Sequence, residues 1–291
     1  MINNNQKKYI NLSCGKIAYL EGGKKNNPPV LLVHGIPTSG WLWREVIRYL
    51  EVDYNCYAPD LMGLGDTFVD INKNLFNMQA QAEMLVEFMQ KQGHKSFHLI
   101  CHDQGGAAGQ IIASQMPDLV NTLVLTDCVC YDNWPVPTIS RWQTFVKFPL
   151  IPEYIIQTGI VKFLETSTPF SAFRKGVYNP EKLSNETIME YLRPLHETSM
   201  SRKLFLKFLL AGNPRYTLEA ISGLKKFTKP TLVIWSGDDY YISPSWGKRL
   251  SEDIPGVKNF ELIPFSGHFW QEEKSDDFSS KIGFFLETYT K

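Results

Sequence analysis

The stretch Leu99-Ile100-Cys101-His102-Asp103-Gln104-Gly105-Gly106-Ala107-Ala108-Gly109 passes within a few residues from an apolar strand pattern to a helix of small side chains. A short apolar run without polar alternation reads as a strand buried on both faces. The glycines and alanines after Asp103 let the following helix pack closely, and a helix N-terminus favours an anion there. A sharp strand-to-helix turn lifts one side chain above the sheet, and here that side chain is Asp103. An Asp at this position is also ordinary helix-capping chemistry, so the turn alone leaves two readings open.

Working outward, Pro29–Val33, Thr122–Leu125 and Thr231–Trp235 repeat the apolar pattern, with shorter strand candidates at Asn55–Ala58 and Phe260–Ile263. Amphipathic stretches at Trp41–Leu50, Phe76–Gln92, Gly105–Met116, Pro244–Ile254 and Asp276–Thr290 alternate with them. This alternation predicts right-handed βαβ units and an α/β fold with a mostly parallel central sheet flanked by helices. Tyr9–Leu12 and Lys16–Glu21 predict an antiparallel hairpin at one sheet edge.

The rhythm breaks between about Trp134 and Ser222, a helical, proline-interrupted stretch without a buried-strand run, and resumes at Pro230. The expected organisation is a core domain of residues 1–133 and 223–291, with a helical lid, 134–222, inserted after the sixth strand. Such an insertion lies over the sheet end where ligands bind. Phe145, Phe148, Ile155, Ile156, Ile160, Phe163, Phe170 and Phe173 make it apolar, which predicts a dry, hydrophobic pocket.

Composition narrows the function classes. With 43% hydrophobic residues in 291, a sizeable core is easily built. Thirty basic and thirty acidic side chains cancel, so no global charge draws the chain to nucleic acid or an anionic membrane. No stretch approaches the ~18 apolar residues of a membrane span. Met1–Tyr9 has no apolar core of a signal peptide. Cys14, Cys56, Cys101, Cys128 and Cys130 lack metal-type spacing and read as reduced thiols, which suits a cytoplasmic protein. The expected partner is a small apolar molecule, and the chain is expected to be a monomer or small homo-oligomer.

Three more motifs fall at strand ends: His34-Gly35-Ile36-Pro37, Trp235-Ser236-Gly237-Asp238-Asp239-Tyr240 and Ser266-Gly267-His268-Phe269. Each taken alone is a common turn. With Asp103 ahead of the last two, the chain order is a nucleophile, an acid and a histidine on strand-end loops, the order used by one hydrolase fold, in which the loop of the first motif supplies an oxyanion-hole N–H.

Together these residues resemble the α/β-hydrolase fold superfamily from about Tyr9 to Tyr289, and within it the aspartate-nucleophile branch of haloalkane dehalogenases and epoxide hydrolases. His34–Arg44, Pro59–Asp66 and Gly267–Glu272 fit that branch, and His102-Asp103-x-Gly105-Gly106 is the specific element, because serine hydrolases do not carry Asp there. The resemblance implies that Asp103 attacks an sp3 carbon to give an alkyl–enzyme ester. His268 would then activate a water, Asp239 would orient His268, and the backbone N–H groups of Ile36 and Gln104 would form the oxyanion hole. Asp127, at the end of its strand, falls where one dehalogenase subgroup places the acid, and is the alternative to Asp239. Asp238 is one residue too close to its strand. No cofactor or metal is expected.

The resemblance leaves the electrophile open. A dehalogenase usually has Trp after the nucleophile to hold the leaving halide, whereas Gln104 stands here, with Trp134 and Trp142 as further candidates for leaving-group contact. An epoxide hydrolase uses lid tyrosines as acids, for which Tyr154 and Tyr191 are the preferred candidates among Tyr154, Tyr178, Tyr191 and Tyr216. The primary expectation is dehalogenase-like hydrolysis of small to medium neutral apolar substrates, with epoxide hydrolysis as the alternative and haloacids ranked lower. A binding or biosynthetic protein on the same scaffold is the competing class, and ester hydrolysis a weaker option, since Asp would form a mixed anhydride.

Overall fold

The structure, a computed structural model, describes residues 7–148 and 150–290. Residues 1–6 of the N-terminal segment read above lie outside it. Lys8–Leu12 (β1) and Gly15–Gly22 (β2) form the antiparallel edge hairpin. Pro29–Val33 (β3), Asn55–Pro59 (β4), Phe68–Val69 (β5), Phe97–Asp103 (β6), Val120–Cys128 (β7), Thr231–Ser236 (β8) and Val257–Ile263 (β9) follow. They join in one nine-stranded sheet of order β1-β2-β4-β3-β6-β7-β8-β9, with β5 paired to β2. From β4 to β9 the neighbours are parallel, and β2 runs antiparallel to β4.

Helices α1 (Arg44–Leu50), α2 (Met78–Lys91) and α3 (Gln104–Gln115) connect the first strands of the parallel part. Between β7 and β8 the chain forms α4 (Pro137–Val146), α5 (Ile151–Gln157), α6 (Ile160–Ser167), α7 (Ala172–Lys175), α8 (Asn185–Glu197), α9 (Ser199–Ala211) and α10 (Arg215–Leu224). Then α11 (Pro244–Asp253) links β8 to β9, and α12 (Trp270–Glu273) and α13 (Ser275–Thr290) close the chain.

The central strands, such as β3 and β6, lack polar alternation because both of their faces are covered. Leu31, Val33 and Leu99 turn to one layer with Leu85 and Met89 of α2 and Ile111 of α3. Val30, Leu32 and Ile100 turn the other way, onto Val46 and Leu50 of α1 and Ile282 and Leu286 of α13.

Two details differ from the sequence reading. The two-residue β5 is too short to leave a periodic signal, and it makes the strand before the insertion the seventh. The segment expected over the sheet ended at residue 222, inside α10. This helix packs on α3, and its Ala220 and Leu224 join the core. Amphipathic periodicity marks a buried face without saying what buries it. Among the described residues no helix is long and apolar enough to cross a membrane.

The strand order reverses at β3: the chain continues to β4 on one side and to β6 on the other. The C-terminal ends of two such strands open a crevice, where ligands bind in sheets of this kind. Val33 pairs with Cys101, so the loop after β3 faces the end of β6.

Candidate active site

Asp103 is the last residue of β6 and precedes α3, with φ 50° and ψ −126°. A non-glycine residue held there costs on the order of 1–3 kcal/mol and persists only where its surroundings impose it. They do so through the small residues of the motif. A Cβ on Gly105 would lie 2.6 Å from the carbonyl oxygen of Val33, and one on Gly106 2.5 Å from Cys128 Cβ. Only glycine lets α3 start this close to the sheet. Asp103 Oδ2 accepts the N–H of Ile36 at 2.7 Å, and the N–H of Gln104 also bonds the carboxylate. Burial pushes this carboxyl up from the ordinary Asp value, against the pull of His268 and the two amides.

His268 follows β9 and lies between two carboxylates. Its Nδ1 is 2.9 Å from Asp239 Oδ2, and its Nε2 is 3.9 Å from Asp103 Oδ1. The N–H groups of Tyr241 and Ile242 hold Asp239 Oδ1 at 2.7 and 2.9 Å, which fixes its orientation. Burial opposes a charge on the ring, but Asp239, its hydrogen bond, Asp103 and Asp127 outweigh it and hold His268 up at about 9. His102, one residue before Asp103, donates from Nε2 to the backbone carbonyl of His268 at 2.9 Å. Burial keeps the His102 ring neutral. This positioning contact was missed from the sequence, although His102 stands in the decisive motif.

The two acid candidates separate cleanly. Asp127 is buried and receives the Ser236 N–H and hydroxyl on Oδ1, and the Thr126 hydroxyl and Trp270 indole on Oδ2. Burial and then Asp239 push its carboxyl up to about 8, against His268 and the two hydroxyls. Asp238 is exposed. Asp127, Asp239 and His268 bring ligand-type atoms within 4.8 Å of one another. The Asp127 oxygens and Asp239 Oδ1 already take N–H or O–H donors, and Asp239 Oδ2 takes the ring, so the cluster is a hydrogen-bond network.

Above Asp103 is a cavity of about 130 Å³, near the size of one that accepts benzene, ~150 Å³. Ile36, Asp103, Gln104 and His268 form its floor, while Trp134, Ile139, Trp142, Ile156, Phe173, Leu192 and Phe205 are among its apolar walls. Its lining is apolar, as expected, but its makers differ from those expected. Of the apolar residues read from the insertion, Ile156 and Phe173 line it, whereas Phe148, Ile160, Phe163 and Phe170 are exposed. Glu165 also lines it, and the sequence reading did not single it out. Its signal was an acid four residues after Val161 on an amphipathic helix, the spacing of a shared face.

The leaving-group candidates fare unevenly. Gln104 lines the cavity, and its Oε1 is buried without a partner. Trp142 lines it too, but the indole N–H of Trp134 is committed to Thr217 Oγ1 at 2.8 Å. Neither preferred tyrosine lines it. Tyr154 is 67% exposed on α5. Tyr191 is buried with its hydroxyl donated to Glu272, which Arg44 grips with two hydrogen bonds. A phenol taken out of water needs such a partner, and here the partner draws it away from Asp103. Of the other two, Tyr178 is exposed and Tyr216 is buried, and neither lines the cavity.

A family profile described as alpha/beta hydrolase fold matches residues 28–275. Epoxide hydrolase 4 of Homo sapiens is 22% identical over 294 residues, covering 94% of this chain and 76% of its own. Haloalkane dehalogenase 2 of Mycobacterium tuberculosis is 27% identical over 288 residues, covering 95% and 93%. The solved structure of epoxide hydrolase CorEH without ligand superposes with a TM-score of 0.79 at 24% identity, over 97% of this chain and 99% of that one.

Proposed function

The chain belongs to the alpha/beta hydrolase fold family, as a hydrolase of the haloalkane dehalogenase and epoxide hydrolase type, and from that premise we propose that it hydrolyses a small neutral apolar substrate through an ester on Asp103. The observation that carries this reading is the orientation of the carboxylate. Oδ2 is occupied by the Ile36 amide, while Oδ1 is the oxygen on the His268 side.

Oδ1 attacks an sp3 carbon as the bond to the leaving group breaks, and the ester C–O bond forms in its place. Oδ2 becomes the ester carbonyl oxygen. His268 takes a proton from water, the hydroxide adds to Asp103 Cγ, and the resulting oxyanion lies at the Ile36 and Gln104 amides, aimed there before the charge develops. Collapse expels the alkoxide, which takes the proton from His268. Asp239 holds the ring in the Nδ1–H tautomer and stabilises its charged form.

Esterification also tunes the base. In the resting site three neighbouring carboxylates, Asp239, Asp103 and Asp127, hold His268 up at about 9. Once Asp103 is an ester it carries no charge, so the ring loses one of the groups that raise it and more readily reaches the neutral form that activates water.

The test is a single turnover in ¹⁸O-water with enzyme in excess. The first product should carry ¹⁶O from Asp103, and the Asp103 peptide should gain ¹⁸O. Direct appearance of ¹⁸O in that product, with an unlabelled Asp103, would overturn the covalent route.

A further inference from the structure

Among the described residues, Glu165 is the one carboxylic acid of the insertion that lines the cavity. It sits on α6 one turn after Val161, which lines the same wall. Its Oε2 accepts the Ser171 hydroxyl at 2.9 Å and the Phe173 N–H at 3.2 Å, so the α6–α7 turn fixes the carboxyl in place. Burial pushes it up from the ordinary Glu value, although these donors, the Ala172 N–H and the Lys175 ammonium pull the other way. Burial favours the neutral carboxyl, the form that can give a proton away, while the Ser171 and Phe173 donors hold the group in position on the cavity wall.

The site described so far does not use this group, and the two electrophile classes differ in needing it. A halide leaves as a weak base and requires no proton. An opening epoxide leaves an alkoxide on the product and requires one. Among the titratable residues lining the cavity are Asp103, His268, Glu165 and Tyr241. Asp103 and His268 have their roles, and the Tyr241 hydroxyl is donated to the carbonyl of Ala172 at 2.6 Å. The tyrosines of the insertion expected to act as acids lie outside the cavity. Glu165 remains.

Building on the reading of Asp103 as nucleophile, we propose that Glu165 is the proton donor to the oxygen that leaves carbon, and hence that the substrate class is a small apolar epoxide. Asp103 Oδ1 bonds to an epoxide carbon as the C–O bond of the ring breaks. The freed oxygen takes the Glu165 proton, giving a β-hydroxy ester and a Glu165 carboxylate. Hydrolysis returns Asp103 to its ionised form, and the proton released restores Glu165 through solvent. The sum is epoxide plus water to vicinal diol. The buried, unpartnered Oε1 of Gln104 fits the same chemistry, because the new hydroxyl can donate to it and a halide cannot.

The experiment compares His268→Gln with His268→Gln/Glu165→Gln, using 1,2-epoxyhexane and 1-bromohexane and following ester formation on Asp103 by intact-protein and peptide mass. The amide that replaces the Glu165 carboxyl keeps an oxygen for Ser171 and Phe173 but has no acidic proton to transfer. The second substitution should slow the epoxide adduct by about 10²–10⁴-fold and the bromide adduct by far less. Equal epoxide rates in the two proteins, or an equal slowing with both probes, overturns the proton donor and leaves Asp103 as nucleophile. A bromide adduct without an epoxide adduct in the single variant overturns the epoxide class. No adduct with either probe overturns the nucleophile reading itself, and the proposal with it.

Discussion

Gly35 abuts the side chain of Asp103 so closely that a Cβ on it would lie 2.5 Å from Asp103 Cβ and 2.6 Å from Cγ. The loop after β3 therefore forms the back wall of the Asp103 carboxylate as well as supplying the Ile36 amide. Gly35→Ala should displace the carboxylate by a fraction of an ångström to an ångström and slow ester formation about 100-fold. The check is single-turnover alkylation together with circular dichroism to show an intact fold. Alkylation within about threefold of wild type would refute the contact.

The two half-reactions should respond to different ionisations. Attack needs ionised Asp103, whose carboxyl lies above the ordinary Asp value, so ester formation should rise with pH through that shifted pKa and then level off. Hydrolysis needs neutral His268, and its midpoint in the ester should fall below the resting value of about 9. Rapid-quench measurement of each step against pH tests both, and a hydrolytic midpoint at or above about 9 would contradict the tuning argument. The same shift links to stability. His268 is raised in the fold relative to about 6.5 unfolded, so its contribution is complete below that pH and fades as pH climbs through about 9.

Asp239 and Asp127 should behave as different kinds of residue. Asp239→Asn removes the acceptor that fixes His268 Nδ1, and ester hydrolysis should drop by about 10³–10⁴-fold with a smaller effect on ester formation. Asp127→Asn disturbs Ser236, Thr126 and Trp270 instead. It should keep hydrolysis within about tenfold while lowering unfolding free energy by about 2 kcal/mol. Denaturant melts and ester-hydrolysis rates distinguish them, and the reverse pattern would make Asp127 the partner of His268.

Trp134 should prove structural. Its indole N–H holds Thr217, whose hydroxyl in turn donates to the carbonyl of Tyr131. Trp134→Phe should therefore cost about 1 kcal/mol of stability and leave alkylation by 1-bromohexane within about threefold. A loss of about tenfold or more for the bromide, with the epoxide spared, would assign Trp134 to the leaving group.

The core was legible because its signals are local. Apolar runs such as Pro29–Val33 can be buried on both faces only between helix layers, and Gly105 and Gly106 mark a helix start too tight for any side chain. The order Asp103, Asp239, His268 could be read along the chain, since each lies at or just beyond the end of a strand. The helical insertion was different. Its periodicity showed that each helix hides a face, but not from what, so Tyr191 and Trp134 looked like candidates for leaving-group contact and turned out to serve hydrogen bonds elsewhere. Glu165, which the sequence did not single out, lines the cavity.

What the sequence determined by itself was the sheet, the sharp turn at Asp103 and the chemistry its side chains make available, because backbone sterics and the burial of apolar faces act over a few residues. Only the tertiary structure decided that Asp239 rather than Asp127 holds the ring, and which residues of the insertion face the cavity. Those choices depend on helices packing across dozens of residues, where a rotation of one helix exchanges a cavity-lining carboxylic acid for a solvent-facing one.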